Sequence, residues 1–373
     1  MGIPEKIKAI QDEMHKTQIN KATEFHIGIL KAKIAKLKRE LDENTHGKTV
    51  STGGGSAGFD VRKAGDATVV LIGFPSVGKS TLLNSVTNAK SKTAAYSFTT
   101  LTAVPGMLDY NGSQIQILDL PGIIEGASSG KGLGKRVLSV ARNANLVLMV
   151  LDVFQIHHLG VLKRELFEVG VKVNEKPPDV IVEKTYTGGI SVNIQALIEV
   201  DENFIKNVMR INGYHNGRIT IREKGLTIDQ LIDVVSGNRI YIPSLVVVNK
   251  IDLVDAEYLN SVTSKLDVPF VSVSADTDKN MELLKQEIYN KLDFIRIYMK
   301  PKGKEADFVE PLIMPRGSTV YNICGKIHRN MVRDFKFAQI WGKSVKFAGQ
   351  KVGLDHKVVD EDVLTIVRRI NAI

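Results

Sequence analysis

The chain has 373 residues, of which 43% are hydrophobic and 24% are charged. This composition excludes a largely disordered protein, and the length suits two or three domains. The single cysteine, Cys324, excludes an internal disulfide, and we interpret it as a small buried apolar residue. No apolar run approaches the roughly 18 residues of a membrane span, and the first residues lack an apolar signal core. These features predict a cytoplasmic protein with no membrane association.

The formal net charge of +9 is concentrated at the two ends of the chain. Residues 294–373 carry 15 lysines and arginines against eight acidic residues, and residues 1–45 carry nine against seven. The remainder of the chain is neutral. Basic ends on a neutral middle favour a polyanionic partner such as RNA, although a solvated surface would also explain them.

The N-terminal region, residues 4–43, has helical periodicity. Apolar residues at steps of three and four form one stripe: Ile27, Leu30, Ile34, Leu37 and Leu41. A shorter stripe upstream contains Ile7, Ile10 and Met14. We expect a helical hairpin that pairs the two stripes. Basic residues surround the longer stripe and form either a solvated face or an RNA contact: Lys31, Lys33, Lys36, Lys38 and Arg39.

A flexible Gly/Ser-rich joint, residues 51–58, separates this region from a different pattern. Beyond the joint, short runs rich in valine and isoleucine predict buried parallel strands of an α/β sheet. The runs are Ala67–Gly73, Ile115–Asp119, Leu146–Asp152, Leu245–Asn249 and Phe270–Ser274.

The loop after the first predicted strand fits the phosphate-binding pattern G-x-x-x-x-G-K-[ST]. The loop residues are Gly73, Phe74, Pro75, Ser76, Val77, Gly78, Lys79 and Ser80. A helix-like stretch follows the loop and starts at Thr81, which is also a predicted nucleotide contact. Backbone N–H groups of such a loop surround phosphate oxygens, and the helix N-terminus adds positive potential. We expect Lys79 to contact the β- and γ-phosphates and the Ser80 hydroxyl to bind Mg²⁺.

A guanine-recognition pattern, N-K-x-D, ends the fourth predicted strand at Asn249, Lys250 and Asp252. A carboxylate at Asp252 can accept hydrogen bonds from guanine N1–H and the 2-amino group, and adenine lacks both donors in that arrangement. Asn249 can bond the N7 side of the base and nearby loops, while the Lys250 stem lies along the base. Ser274 and Ala275 complete the predicted contacts. The pattern favours GTP and GDP over ATP.

The end of the second predicted strand supplies candidates for metal and γ-phosphate binding. Asp119 is placed to hold Mg²⁺ directly or through water, and the N–H of Gly122 can contact the γ-phosphate. Leu120 and Pro121 lie between them and are also predicted nucleotide contacts. The run Phe98, Thr99 and Thr100 lies about twenty residues after Lys79, where a switch threonine is expected. We select Thr100 as the third Mg²⁺ ligand and assign catalysis to Lys79, Thr100 and Gly122.

The residue after Gly122 is Ile123, where many GTPases have a glutamine that orients the attacking water. Isoleucine cannot orient water, so we expect slow intrinsic hydrolysis unless another group helps. Glu125 is a weaker candidate for that group. Four glycines between Gly126 and Gly134 predict a loop that orders around the γ-phosphate, with a passive surface loop as the alternative.

The nucleotide motifs, the Phe98–Leu101 switch and the glycine-rich run together resemble the Obg-like GTPases. Four further phrases resemble the developmentally regulated GTP-binding proteins within that group: Asn20–Glu24, Leu30–Leu37, Gly188–Ile190 and Gly237–Tyr241. The resemblance extends over essentially the whole chain. It implies an α/β fold: a P-loop GTPase domain with an inserted α+β domain, an N-terminal helical hairpin and a C-terminal β-grasp (TGS) domain.

The resemblance implies the following domain limits: hairpin 1–50, first GTPase segment 51–170, inserted domain 171–236, second GTPase segment 237–293 and TGS domain 294–373. The insert resembles a domain of a ribosomal protein. The residues agree, since Asp119 and Asn249 are 130 positions apart, far more than one strand and one helix require. Within the insert, Thr227 and Gln230 form a capping box. Its charge sums to about zero, which gives no strong polyanion signal.

The last 80 residues suit a small β-grasp fold. We expect strands at Phe294–Met299, around Phe337–Ile340 and at Ser344–Phe347, with a helix at Val320–Arg329. TGS domains are associated with RNA or ribosome contact, and the basic charge here supports that. Trp341 and Phe347 are candidate stacking residues, but core positions are the simpler interpretation of both.

Together these features predict a Mg²⁺-dependent, monomeric GTPase that acts as a ribosome- or RNA-associated switch in translation. The alternative is an RNA- or ribosome-binding module in which nucleotide is mainly structural. The family often acts with a dedicated partner protein. Some related GTPases have asparagine where Ser76 stands and use it to help hold K⁺, so dependence on K⁺ stays open.

Overall fold

A computed structural model describes residues 2–18, 20, 23–45, 64–87, 104–120, 140–301 and 303–369. Its helices with described bounds are α1 Ile3–Lys16, α2 Glu24–Thr45, α3 Lys79–Val86, α4 His158–Glu168, α5 Glu202–Ile211, α6 Ile228–Ser236, α7 Ala256–Thr263, α8 Met281–Leu292 and α9 Val320–Ile327. A 3₁₀ turn spans Ile251–Leu253. No helix in the described part of the chain has the length and apolarity that a membrane span requires.

The first eight strands are β1 Ala67–Ile72, β2 Val104–Tyr110, β3 Ser113–Asp119, β4 Leu146–Asp152, β5 Val171–Val173, β6 Val180–Lys184, β7 Ile190–Ile194 and β8 Gly217–Ile221. The others are β9 Ile240–Ile242, β10 Ser244–Asn249, β11 Phe270–Ser272, β12 Phe294–Met299, β13 Leu312–Pro315, β14 Phe335–Trp341, β15 Gln350–Val352 and β16 Val363–Arg368. The chain divides into two compact units: residues 1–60 with 170–241, and residues 61–169 with 242–373.

A six-stranded sheet in the order β11-β10-β4-β1-β3-β2 forms the centre of the second unit. The five strands expected from the apolar runs are present and parallel. Parallel strands bring their carboxyl ends to one edge of the sheet. The phosphate loop, Asp119 and Asn249 each lie at such an end, so the topology assembles them.

The edge strand β2 was not expected from sequence. It pairs antiparallel with β3 through a two-residue turn, Asn111-Gly112, which is a strong hairpin signal. Pro105 and Gly106 interrupt the apolar pattern of the strand and conceal it. An edge position tolerates proline because one side of the strand has no ladder to donate to.

The C-terminal β-grasp region belongs to the same unit as this sheet. Its five strands have the order β13-β12-β16-β14-β15, and Cys324 of α9 is completely buried in its core, as predicted. Phe294 and Ile313 belong to the hydrophobic core of the six-stranded sheet, and Lys326 Nζ lies 2.9 Å from Asp66 Oδ1. The β-grasp region therefore shares a core with the nucleotide-binding sheet.

The predicted strand at Ser344–Phe347 is wrong: this segment is a turn, and the strand lies at Gln350–Val352. Side chains bond two of its backbone N–H groups, since Ser344 N donates to Asp362 Oδ1 and Lys346 N donates to Gln350 Oε1. The core interpretation of Phe347 is also wrong, because its side chain is 64% exposed.

The first unit combines the helical hairpin with residues 170–241. Helix α1 packs against α2, and Glu13 Oε1 lies 3.2 Å from His26 Nε2. In the predicted stripe of α2, Ile27 and Leu30 are buried, whereas Ile34, Leu37 and Leu41 are only half-buried. The predicted stripe therefore describes only part of what α2 buries.

A second face of α2, unnoticed in the sequence, packs against the three-stranded sheet domain formed by β6-β8-β7, α5 and α6. It consists of small residues, Gly28, Ala32 and Ala35, and the two alanines belong to that domain's core. Two of the basic residues that surround the predicted stripe form contacts within this unit. Lys31 Nζ lies 2.7 Å from Asp229 Oδ1, and Arg39 Nη1 donates to Ser236 O. The capping box at Thr227 and Gln230 forms as predicted.

We expect opposite effects from the same substitution at two helical glycines. A Cβ at Gly28 would approach Phe204 Cζ to 2.7 Å and Ile228 Cγ2 to 2.9 Å, whereas one at Gly160 in α4 meets nothing within 4 Å. Overpacking costs about 1–3 kcal/mol, and the helix propensity of alanine returns at most about 1. Gly28→Ala should therefore lower the free energy of unfolding by about 1 kcal/mol, and Gly160→Ala should raise it by about 0.5–1 kcal/mol.

Denaturant titration followed by circular dichroism tests this pair, with hydrogen exchange of α2 and α4 amides reporting the two units separately. Equal stabilisation by both substitutions would show that α2 moves away from Phe204 at no cost.

Candidate nucleotide-binding site

The phosphate loop connects β1 to α3 and has a backbone that only certain residues tolerate. Gly78 has φ +89°, and a Cβ there would collide with the side-chain amide of Asn249. Val77 is 2% exposed and anchors the loop in the core of the sheet, while Pro75 and Ser76 are exposed. The loop is therefore anchored at one residue and open at its tip.

Lys79 is buried at the start of α3 and its ammonium is held by the loop. Its Nζ donates to the carbonyl oxygens of Gly73 at 3.1 Å and Phe74 at 3.0 Å. Burial lowers the pKa of Lys79, and the nearby Asp119 carboxylate opposes that change. The lysine is thus a preorganised cation inside the loop, where a phosphate group would meet it.

Ser80 and Asp119, both predicted metal ligands, lie side by side. The Ser80 hydroxyl donates to Asp119 Oδ2 at 2.5 Å. Asp119 is 7% exposed, and its other oxygen, Oδ1, is buried without a hydrogen-bond partner among the described residues. A buried carboxylate oxygen without a partner is costly. A hydroxyl and a carboxylate are the hard oxygen donors that Mg²⁺ prefers, so the donor set fits this ion.

Asn249 joins the phosphate loop to the loop after β11. Its Nδ2 donates to Val77 O at 2.9 Å, and its Oδ1 accepts from Ala275 N at 3.0 Å. The side chain is 2% exposed. These contacts agree with the expected bonding to nearby loops and make Asn249 a positioning residue.

The loop after β11 is ordered by its own hydrogen bonds. Ser274 is completely buried, and its Oγ accepts from Thr277 N at 3.2 Å. Ala275 follows with 7% exposure. Together with Asn249 these residues fix one wall of the predicted base site.

Lys250 is held by a residue that sequence reasoning did not select, Asp152 at the end of β4. Lys250 Nζ lies 2.7 Å from Asp152 Oδ2, and Asp152 Oδ1 accepts from Phe154 N at 3.0 Å. Lys250 has φ +68°, an uncommon backbone conformation for a side chain of this size. The available sequence signal was the acidic residue that ends an otherwise apolar strand.

We expect Asp152→Asn to weaken GTP binding roughly tenfold, since the ion pair that orients Lys250 would be replaced by a weaker hydrogen bond from the ammonium to an uncharged amide oxygen. Titration with a fluorescent GTP analogue measures the change. Asp109→Asn, an exposed carboxylate on β2, is the matched control and should leave affinity unchanged. Unaltered affinity in Asp152→Asn would show that Lys250 needs no such support.

Asp252 lies in the 3₁₀ turn after β10. It is exposed and makes no hydrogen bond or ion pair with the residues that the structure describes, while its neighbour Ile251 is 4% exposed. The buried Ile251 anchors the turn and leaves the Asp252 carboxylate available to a ligand.

The other predicted contact residues are placed as follows. The Phe74 ring stacks on His158 with ring centroids 4.1 Å apart, Leu120 is 1% exposed, and Thr81 is exposed in the first turn of α3. The following predicted residues lie outside the described part of the chain: Phe98, Thr99, Thr100, Pro121, Gly122, Ile123, Glu125 and the glycines from Gly126 to Gly134.

A mostly parallel sheet with a phosphate loop after β1, an aspartate ending β3 and N-K-x-D ending β10 defines a P-loop GTP-binding protein of the GTPase class. Matches to models of known protein families support this class. One described as a 50S ribosome-binding GTPase matches residues 68–184, one described as the C-terminal region of that domain matches 187–294, and the TGS domain matches 295–368.

Curated relatives match nearly the whole chain. An uncharacterised GTP-binding protein of Methanocaldococcus jannaschii is 54% identical, with 98% of this chain and 93% of the relative covered. Developmentally-regulated GTP-binding protein 1 of Xenopus laevis is 46% identical, with 99% and 100% covered. Developmentally-regulated G-protein 3 of Arabidopsis thaliana is also 46% identical, with 99% of each chain covered. The chain belongs to the family of developmentally regulated GTP-binding proteins.

Proposed function

We propose that the protein binds GTP with Mg²⁺, hydrolyses it slowly to GDP and phosphate, and acts as a ribosome- or RNA-associated switch in translation. The observation that carries the proposal is the Ser80–Asp119 pair, in which one buried carboxylate oxygen has no partner among the residues that the structure describes. This pair stands beside a buried lysine in a phosphate loop, which is the arrangement that nucleoside triphosphate chemistry requires.

In the proposed mechanism the chain mainly positions groups and stabilises charge. Backbone N–H groups of the phosphate loop and the Lys79 ammonium hold the phosphates and stabilise the charge that develops as water attacks the γ-phosphorus. Ser80 and Asp119 would hold Mg²⁺, together with Thr100, the predicted switch threonine. When bound, Mg²⁺ neutralises phosphate charge and orients the β- and γ-phosphates. Asp252 recognises guanine. Asn249 holds the phosphate loop and the loop after β11 together.

Ile123 is the reason for proposing a low intrinsic rate, because its side chain cannot orient water. A ribosome, an RNA or a protein partner would then complete the site. Support for the ribosome comes from the matched model, described as a 50S ribosome-binding GTPase, and from the basic C-terminal region.

The experiment is single-turnover hydrolysis of GTP with Mg²⁺, with and without ribosomes, using ATP as the control nucleotide. Ribosome-stimulated hydrolysis of GTP alone is the expected result. Replacing K⁺ by Na⁺ in the same assay decides whether Ser76 is compatible with K⁺ dependence. Tight GTP binding without turnover in every condition would favour the alternative function, a binding module with structural nucleotide.

Charge substitutions test the basic C-terminal region better than its deletion. Deletion would remove Phe294 and Ile313 from the core of the nucleotide-binding sheet. Lys336→Gln with Lys346→Gln changes two exposed lysines and leaves that core intact. Ribosome association should weaken in this variant while GTP binding is unchanged; unchanged association would place the contact elsewhere.

A further inference from the structure

The three-stranded sheet domain ends in a tip formed by residues 184–191 and 210–218. The tip connects β6 to β7 and α5 to β8. It carries Lys184, Arg210 and Arg218 and contains no Asp or Glu, while the rest of 171–236 has five basic residues against nine acidic ones. The net charge of residues 171–236 is therefore close to zero because a basic pole at the tip offsets an acidic excess in the rest of the region.

An aromatic side chain projects from this basic tip. Tyr186 is 100% exposed, which is unusual because burial of a tyrosine ring is strongly favourable. Beside it, Lys184 Nζ lies 5.3 Å from the centroid of the Tyr214 ring, a cation–π distance. His215 and Arg218 are also exposed. Glu183, the cross-strand neighbour of Arg218, marks the edge of the basic pole.

The backbone that carries Tyr186 is held in place by Asn216. Asn216 Nδ2 donates to Tyr186 O at 3.2 Å, and Asn216 Oδ1 accepts from Gly189 N at 2.8 Å. Gly188 and Gly189 have φ +98° and +71°, which closes the loop tightly. Thr185 Oγ1 also donates to Thr187 O at 3.0 Å. The tyrosine therefore projects into solvent from a preorganised loop, and binding would cost little further ordering of the backbone.

We propose that this tip binds single-stranded RNA, with an unpaired base stacked on Tyr186 and the neighbouring cations on phosphates. An exposed ring supplies a stacking platform, and Lys184, Arg210 and Arg218 supply cations for the backbone, with Glu183 opposite Arg218 as a carboxylate at the margin. Duplex RNA fits less well because its bases are already stacked. The proposal rests on the proposed RNA-associated function and assigns a part of that contact to the tip.

The test is fluorescence anisotropy of the full chain with a labelled single-stranded uridine 12-mer. Tyr186→Ala should weaken binding at least about fivefold, since one stacked base is worth about 1–3 kcal/mol by alanine substitution. Tyr186→Phe keeps the ring and should stay within twofold of wild type. Since the Tyr186 side chain is fully exposed, Tyr186→Ala should fold normally. Leu197→Ala, which removes a 91% exposed side chain at the other end of β7, is the matched control.

Two further measurements separate the possible outcomes. Lys184→Gln with Arg218→Gln should reduce the slope of log affinity against log salt by about 0.7 for each lost phosphate contact. Guanine-nucleotide affinity should stay unchanged in all tip variants. Wild-type RNA affinity in Tyr186→Ala would overturn the tip proposal and leave the RNA-associated function standing. Equal losses in Tyr186→Ala and Tyr186→Phe, or equal competition by duplex RNA, would also overturn it. Absence of any RNA or ribosome binding by the wild-type chain would refute both proposals.

Discussion

Lys79→Ala should lower single-turnover GTP hydrolysis at least about a hundredfold, since loss of one preorganised charge-stabilising donor costs on the order of 10²–10³ in rate. The buried ammonium is held by Gly73 O and Phe74 O, so it is in place before phosphate arrives. Quench-flow with radiolabelled GTP, at enzyme in excess over nucleotide, measures the rate.

The Lys79 experiment needs a variant that separates charge from packing. Lys79→Met keeps most of the buried aliphatic stem and should lose activity to the same extent, whereas Lys265→Ala, at an exposed lysine of the same unit, should be normal. Thermal unfolding of each variant reports the fold. Normal turnover in folded Lys79→Met would refute the assignment of this lysine to phosphate chemistry.

Asp252→Asn should weaken GTP binding roughly tenfold to a hundredfold, because a bidentate contact to one base is worth about 1–3 kcal/mol. An amide cannot accept from both N1–H and the 2-amino group of guanine. Xanthine has a carbonyl oxygen at C2 in place of the amino group, so an amide can donate to it and accept from N1–H. The variant should therefore bind xanthosine triphosphate more tightly than GTP.

Competition titration against a fluorescent guanine nucleotide measures both affinities. Asp252 is exposed and has no protein partner in the described part of the chain, so its substitution should leave stability unchanged. Asp267→Asn, at another exposed aspartate of the same unit, is the matched control. An unchanged preference for GTP in Asp252→Asn would contradict the role assigned to the N-K-x-D pattern.

Local sequence patterns predicted the nucleotide-binding sheet well. Strands buried on both faces appear as continuous valine and isoleucine runs, so Leu146–Asp152 was predicted to the residue. The glycines and the lysine of the phosphate loop have a fixed spacing because all of them must contact the same phosphate groups. The capping box at Thr227 and Gln230 is equally local, since all of its hydrogen bonds join residues three positions apart.

Prediction failed where a contact joins residues distant in sequence. The turn at Ser344–Phe347 depends in part on Asp362, 18 positions after Ser344, which no local pattern reveals. The small-residue face of α2 looked unremarkable because its partner, Phe204, lies far along the chain. Asp152 was missed for the same reason: its importance comes from Lys250, 98 positions later.

The sequence by itself determined the family, the nucleotide motifs and the type of sheet, because each depends on residues close together in the chain. Only the tertiary structure shows that the Ser80 hydroxyl donates directly to Asp119, that the other Asp119 oxygen is buried without a partner among the described residues, and which two loops Asn249 joins. The tertiary structure also shows that the basic and acidic residues of 171–236 lie in different places. The net charge of this region, which is close to zero, cannot show that. Contacts between distant residues depend on how packed elements are arranged, and no local spacing encodes that arrangement.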